Sequence, residues 1–324
     1  MKLRLLILAA AAALAAGCGP RQGRASDQAA AAVRDFPVMQ IPAMYTDASD
    51  RQAYATEHYW DRFFSGASGM RCDSLTVCGV SRDDVEGHFS TFVSILGNQD
   101  VSGGQKGMST LFSKVEAAQA ADSLSNVMEV FSWLAEHYLY DPNSPFRSED
   151  LYLPYVRGLA ESPLTDQEQA PAYAFTARMC AMNAIGTPAA DFRFTDNAGR
   201  TRRLYDIHAD HTLLFFSNPG CEACKDIIEN LKSMPFLPGL ISSGRLAVVN
   251  VYIDGDIQAW KDYQSFYPRE WFNGYDPDGI IRQDLLYHVR AIPSLYVLDA
   301  DKRVIMKDAP EERVFAFLES MRRD

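Results

Sequence analysis

Two cysteines three positions apart, in Asn218-Pro219-Gly220-Cys221-Glu222-Ala223-Cys224, follow directly on the apolar run Leu213-Leu214-Phe215-Phe216. A buried strand that hands its chain to a helix at such a point reads as a working redox centre. The thiols then lie at the helix's first turn, where unpaired N–H groups and the helix dipole favour an anion. Cys221 is thereby the candidate nucleophile, with its pKa lowered towards the thiolate, and Cys224, one turn on, is the candidate resolving thiol. Zinc sites use the same Cys-x-x-Cys spacing, so the motif takes its force from context: the preceding strand, and Ala291-Ile292-Pro293-Ser294 roughly seventy residues downstream.

The chain of 324 residues opens with Lys2 and Arg4, an apolar run from Leu5 to Ala16, and Gly17-Cys18. That run is short and Ala-rich, so it reads as an export signal over residues 1–18 rather than a membrane span. Leu14-Ala15-Ala16-Gly17-Cys18 resembles a bacterial lipobox whose leucine stands one place further upstream than usual. Lipidation of Cys18 is the expectation, and plain signal-peptidase cleavage is the alternative. Either route places the chain outside the cytoplasm; the expected location is periplasmic, held to a membrane by the lipid. A formal charge of −11, with no Lys/Arg stripe interleaved with aromatics, opposes nucleic-acid binding and favours protein partners.

Besides Cys18, five cysteines remain: Cys72, Cys78, Cys180, Cys221 and Cys224. Cys72 and Cys78 bracket a short loop and are the candidates for a structural disulfide; two reduced thiols or a second redox pair are the alternatives. Cys180 lies in an apolar helical context and reads as a small buried hydrophobe. His58, His88 and His137 share no short ligand-like spacing, so no metal site and no cofactor is expected.

Residues 19–35 are rich in Ala, Gln, Arg and Gly and suit a flexible tether. From 36 to 185 the pattern is helical. Ser81 stands as a cap ahead of Phe89, Phe92, Val93 and Leu96 on one face; Leu124, Val127, Met128, Phe131, Leu134, Ala135 and Tyr138 form a longer stripe. Thr165 with Glu168 reads as a further helix start. The cluster Tyr54, His58, Tyr59, Trp60, Phe63 and Phe64 reads as a helix face packed into a core, with a binding surface as the alternative. After Gly186-Thr187-Pro188 the period changes to strands near 191–195, 212–217, 246–253, 294–298 and 303–306, and a last helix covers about 310–322. A helical insert holding Trp260 and Trp271, with Tyr263, Phe266, Tyr267 and Phe272, lies between; it walls the site, binds clients or packs as core. The fold class is α+β overall, a mostly α-helical domain followed by an α/β domain.

Over residues 186–324 this order of elements resembles the thioredoxin fold in its extracytoplasmic TlpA/ResA-like form. Four features carry the resemblance: the opening Gly186-Thr187-Pro188-Ala189-Ala190-Asp191-Phe192, the Cys221–Cys224 motif, the strand ending at Asp254, and Ile292-Pro293. Glu222 between the cysteines is similar to the Cys-Glu-Pro-Cys of ResA-like reductases. Residues 36–185 resemble, more loosely, a domain of unknown function found ahead of thioredoxin-like domains in bacterial lipoproteins. The resemblance implies a thiol–disulfide oxidoreductase with disulfide-containing protein clients and a membrane-side thiol/disulfide electron donor. It implies a cis peptide at Pro293, which leaves the backbone of Ile292, beside Gly220, for an extended substrate segment.

The departures from the family concern the motif and the proton acceptor. Gly220 stands where Trp is common, Ala223 where Pro or Gly is frequent, Phe215 where thioredoxins bury an acid, and Ile227 where ResA-like proteins place a Glu. Glu222 and Asp226 are therefore the candidates to accept the proton of the second thiol, with solvated helix-start carboxylates as the plainer reading of both. A peroxiredoxin is disfavoured because Leu214 and Asn218 occupy the places its motif requires. A non-catalytic scaffold, with the cysteines as a staple, is the competing class.

Overall fold

Helices with one apolar stripe must bury it against each other, and the first half of the chain does so. The computed structural model describes residues 33–66 and 73–322. Cys18, the export and lipid expectations, and Cys72 with its pairing to Cys78 lie outside the described residues. Cys78 itself is buried, with φ at +50°, and its carbonyl accepts from Arg34 Nε at 2.8 Å.

Helices α1 (Ala48–His58) and α2 (Asp61–Ser65) lead into a small hairpin, β1 (Thr76–Val77) with β2 (Val80–Ser81). Then come α3 (Arg82–Gly97), α4 (Val101–Ala121), α5 (Val127–Leu139), α6 (Glu149–Glu161) and α7 (Ala170–Ala181). Ser81 caps α3 as its sequence predicts, accepting from the Asp84 amide at 3.1 Å, and Val85, Phe89, Phe92, Val93 and Leu96 are buried. The aromatic segment is core. Phe131 of α5 is fully buried, its ring 5.0 Å from Trp60, 5.6 Å from Phe64, 5.9 Å from Phe63 and 6.3 Å from Phe89.

Two helix starts differ from expectation because local turns intervene. Leu124 is outside α5 and 90% exposed; Asp122 Oδ1 accepts from its amide at 3.0 Å and closes a turn first. At Thr165–Glu168, Asp166 Oδ1 accepts from the Glu168 amide at 2.8 Å, and α7 begins only at Ala170, with Pro171 in its opening turn. Pro154 inside α6 cannot donate to the Asp150 carbonyl four residues back. Gln105 Nε2 of α4 donates to it instead at 3.0 Å, so the proline breaks no helix.

The second half is built on β3 (Arg193–Asp196), β4 (Thr201–Arg203), β5 (His211–Phe216), α8 (Glu222–Ser233), α9 (Leu237–Ser242), β6 (Leu246–Tyr252), α10 (Ile257–Asp262), β7 (Phe272–Tyr275), α11 (Ile280–Gln283), β8 (Ser294–Asp299), β9 (Val304–Met306) and α12 (Glu311–Met321). Among the described residues these strands form one sheet in the order β4-β3-β7-β6-β5-β8-β9. β5 is central, parallel to β6 and antiparallel to β8. Both of its faces are covered, which explains its unbroken apolar run. Leu213 and Phe215 pack with Ile227, Ile228 and Leu231 of α8 and with Val314 and Leu318 of α12. Leu214 and Phe216 point the other way, among Phe192, Ile281, Tyr287 and Tyr296.

The stretch holding Trp260 and Trp271 is helical only in part. Trp260 is on α10, but Trp271 leads into β7, which pairs parallel to β6 through Val251↔Gly274 and Tyr252↔Tyr275. Trp260, Tyr267 and Trp271 are buried, so the segment is core rather than an exposed wall. Phe-Asn-Gly-Tyr is too short and too weakly apolar to announce a strand by alternation.

Truncating Phe131 to Ala should cost about 3–5 kcal/mol, because four surrounding rings cannot collapse into the space left. Urea-induced unfolding followed by circular dichroism measures this. A loss below about 0.5 kcal/mol, typical of surface positions, would contradict the packing described.

Candidate active site

β5 ends at Phe216, and Asn218-Pro219-Gly220 turn the chain into α8. Gly220 has φ at +76°, a conformation that residues with a Cβ rarely adopt, so this turn calls for a glycine where relatives of the fold commonly carry Trp. The Cys221 amide donates to the Asn218 carbonyl at 3.3 Å. Asn218 Nδ2 in turn donates to the Asp254 carboxylate beyond β6, and Arg282 Nη1 pairs with Asp254 at 2.9 Å. The turn is thereby pinned across the carboxyl ends of β5 and β6, where open α/β sheets place their sites.

Cys221 is the N-cap of α8. Its φ and ψ of −76° and 114° are extended, and its Sγ accepts from the Cys224 amide at 3.2 Å. The sulfur so occupies the place of the usual Ser or Asp oxygen in a cap. An N–H donor at Sγ, added to the helix dipole, stabilises the thiolate over the thiol. Cys221 and Cys224 form a disulfide with Cα atoms 5.3 Å apart. Cys221 is half-buried and Cys224 only 1% exposed, so a partner reaches the first sulfur and not the second.

The Ile292–Pro293 peptide is cis, and the Ile292 carbonyl lies 4.0 Å from Cys221 Sγ. Cys221, Cys224, Gly220, Ile292 and Pro293 therefore meet in one place. Glu222 and Asp226 are on α8 but are exposed, and neither is hydrogen-bonded to Cys224. Asp226 faces Glu311 at the start of α12, whose carboxyl is pushed up by burial and by the neighbouring Glu312 and Asp226 charges. Phe215, fully buried, packs in the cluster that holds Cys224.

A buried polar line beneath α8 escaped the sequence reading. Ser217 Oγ donates to Asn250 Oδ1 at 2.5 Å, Asn250 Nδ2 to Asn273 Oδ1 at 3.1 Å, and Asn273 Nδ2 to the Pro268 carbonyl at 2.7 Å. Burial pushes the nearby Tyr267 hydroxyl up to about 12, with Ser217 and Asn250 acting in the opposite sense. Asn250 occupies the β6 position paired with Phe215. The sequence signal for the line is one amide, Asn250, inside the otherwise apolar Leu246–Tyr252. Cys180 is fully buried, as its context predicts, and burial pushes its thiol up to about 12. It takes no part in the site.

A family model described as a domain of unknown function (DUF5106) matches residues 18–183, just over half of the chain. The crystal structure of a thioredoxin-like protein from Bacteroides caccae is 30% identical, covers 89% of this chain and 99% of that one, and has a TM-score of 0.77. The C-terminal domain of an uncharacterized protein from Bacteroides fragilis is 41% identical over 42% of this chain and 98% of that one, with a TM-score of 0.41. A domain of a possible thiol-disulfide isomerase from Cytophaga hutchinsonii is 25% identical over 44% of this chain and 96% of that one, with a TM-score of 0.37. No curated protein matches the chain. With the helical half matched by that model and most of the architecture shared with the Bacteroides caccae protein, the chain belongs to the DUF5106 family and carries a thioredoxin-like fold behind its helical domain.

Proposed function

We propose that this protein is an extracytoplasmic, lipid-anchored thiol–disulfide oxidoreductase that reduces disulfides in protein clients. The observation that carries the reading is Cys221 Sγ: half-buried, at the N-cap of α8, with the Cys224 amide 3.2 Å away. Export and lipidation rest on the sequence around Cys18. The reducing direction rests on the resemblance of Cys221-Glu222-Ala223-Cys224 to ResA-like motifs.

In the dithiol state the Cys221 thiolate attacks one sulfur of a client disulfide. A mixed disulfide forms, the client's S–S bond breaks, and one client sulfur leaves as a thiolate that takes up a proton. Cys224, after losing its own proton, attacks Cys221 Sγ and expels the second client sulfur. Two electrons and two protons pass to the client, and Cys221–Cys224 is left oxidised. A membrane-side dithiol then restores the pair by the same steps in reverse roles. The burial of Cys224 protects the mixed disulfide's resolving thiol from solvent oxidants while leaving Cys221 open. Ile292, with its carbonyl beside Cys221, offers backbone to an extended client segment.

In the fully reduced protein near neutral pH, iodoacetamide should modify Cys221 well before Cys224 or Cys180, read site by site by mass spectrometry. Faster labelling of Cys224 would reverse the roles of the two thiols. Replacing Cys221 with Ser should abolish insulin-disulfide turnover, whereas Cys224→Ser should accumulate mixed disulfides with clients that dithiothreitol releases. Equal turnover by the wild type and Cys221→Ser would remove the enzyme and leave a scaffold whose cysteines are a staple.

A further inference from the structure

Residues 287–293, which end on the proline beside Cys221, carry neither helix nor strand. Their position is set by side chains, and several of these converge on one buried carboxylate from the helical half. Arg290 Nε donates to Glu149 Oε1 at 2.9 Å, and His288 Nδ1 lies 2.9 Å from the same oxygen. The other oxygen, Oε2, pairs with Lys307 Nζ at 2.8 Å. Lys307 also donates to the Cys180 and Met182 carbonyls at 2.7 and 2.6 Å. Glu149 opens α6, and Ser148 caps that helix.

Asp308 continues the chain of contacts. Its Oδ2 lies 3.4 Å from Arg290 Nη2, and its Oδ1 accepts from Ser294 Oγ at 2.6 Å. Ser294 is the residue after Pro293. Asp308 is a non-glycine residue at φ +41°, held there by Arg147, whose Nε and Nη2 donate to the Asp308 and Ala309 carbonyls at 3.0 and 3.1 Å. The Arg290 guanidinium is also stacked 4.2 Å over the Tyr140 ring of the segment joining α5 to α6.

Glu149 is 2%, Lys307 6% and Asp308 7% exposed, so each group has lost most of its water, which disfavours its charged form and raises the Asp308 carboxyl. Burial raises the Glu149 carboxyl, but His288 and Lys307 outweigh it and hold the group below its usual value. Apolar side chains would glue two domains as well or better. What ionic contacts add is direction: each hydrogen bond fixes where its partner stands.

We propose that Glu149 is a positioning residue of the thiol–disulfide site, which through Arg290 and Asp308 holds Ile292 against Cys221 so that an extended client can dock its backbone there. The inference rests on the oxidoreductase reading. It makes the helical domain part of the active site rather than a spacer.

The test uses the full chain carrying Arg290→Lys, which keeps the charge but loses the forked donors that reach Glu149 and Asp308 together, and separately Glu149→Gln. Three quantities are measured: reduction of a disulfide-bonded peptide, reduction of the small disulfide hydroxyethyl disulfide, and the pH profile of Cys221 alkylation. KM for the peptide should rise about tenfold, the equivalent of one lost backbone hydrogen bond. The peptide kcat, the small-disulfide rate and the alkylation profile should stay within about twofold, a shift smaller than the loss of one such bond. Parallel loss on both disulfides, or no loss on either, would overturn the clamp. If Glu149→Gln fails to fold, Arg290→Lys decides alone. Wild-type inactivity towards both disulfides would instead remove the oxidoreductase reading, and the clamp with it.

Discussion

One N–H group, that of Cys224 donating to Cys221 Sγ, joins the fold to its chemistry. The bond exists because β5 delivers the chain to α8 through a turn with a glycine at positive φ, which leaves a cysteine at the N-cap. It also selects a charge state, since a helix terminus with a free donor favours sulfur as an anion. The rest of the C-terminal half serves to keep that terminus in place. The covered faces of β5, the Asn218–Asp254–Arg282 chain and the apolar underside of α8 all fix where the sulfur stands.

What was legible in the sequence was whatever local pattern determines. The Cys221–Cys224 motif after an apolar run, the Ser81 cap, the stripe of α3 and the final helix all rest on spacing or on residues adjacent in the chain. What was not legible depends on distant partners. Glu149 carries no mark in its own stretch of sequence, where nothing says that Lys307 and Arg290 will arrive to bury it. Leu124 fits an apolar stripe, yet Asp122 forms a turn first. β7 was hidden because four residues without clear alternation become a strand only when β6 and β3 lie on either side.

The proton acceptor for Cys224 illustrates the same limit in the site itself. Neighbours in sequence suggest Glu222 and Asp226, but both face solvent on α8, while the polar groups beneath the helix come from the residue after β5, from β6 and β7, and from the loop before β7. Those groups are neutral amides and hydroxyls, next to Phe215, which stands where thioredoxins bury an acid. A line of neutral donors and acceptors orients its neighbours without holding a charge of its own. The ionic contacts around Glu149 form another buried polar system, joined to residues 287–293 through His288 and Arg290.

The proposed function requires that Cys221 and Cys224 exchange two electrons while the protein stays folded. Equilibrating the protein with graded ratios of reduced and oxidised dithiothreitol, then alkylating and weighing it, tests this directly. One reversible two-electron transition confined to Cys221 and Cys224 is expected, with Cys180 unmodified throughout. A pair that stays oxidised at the reducing end of the series, or opens only when the fold is lost, would contradict it.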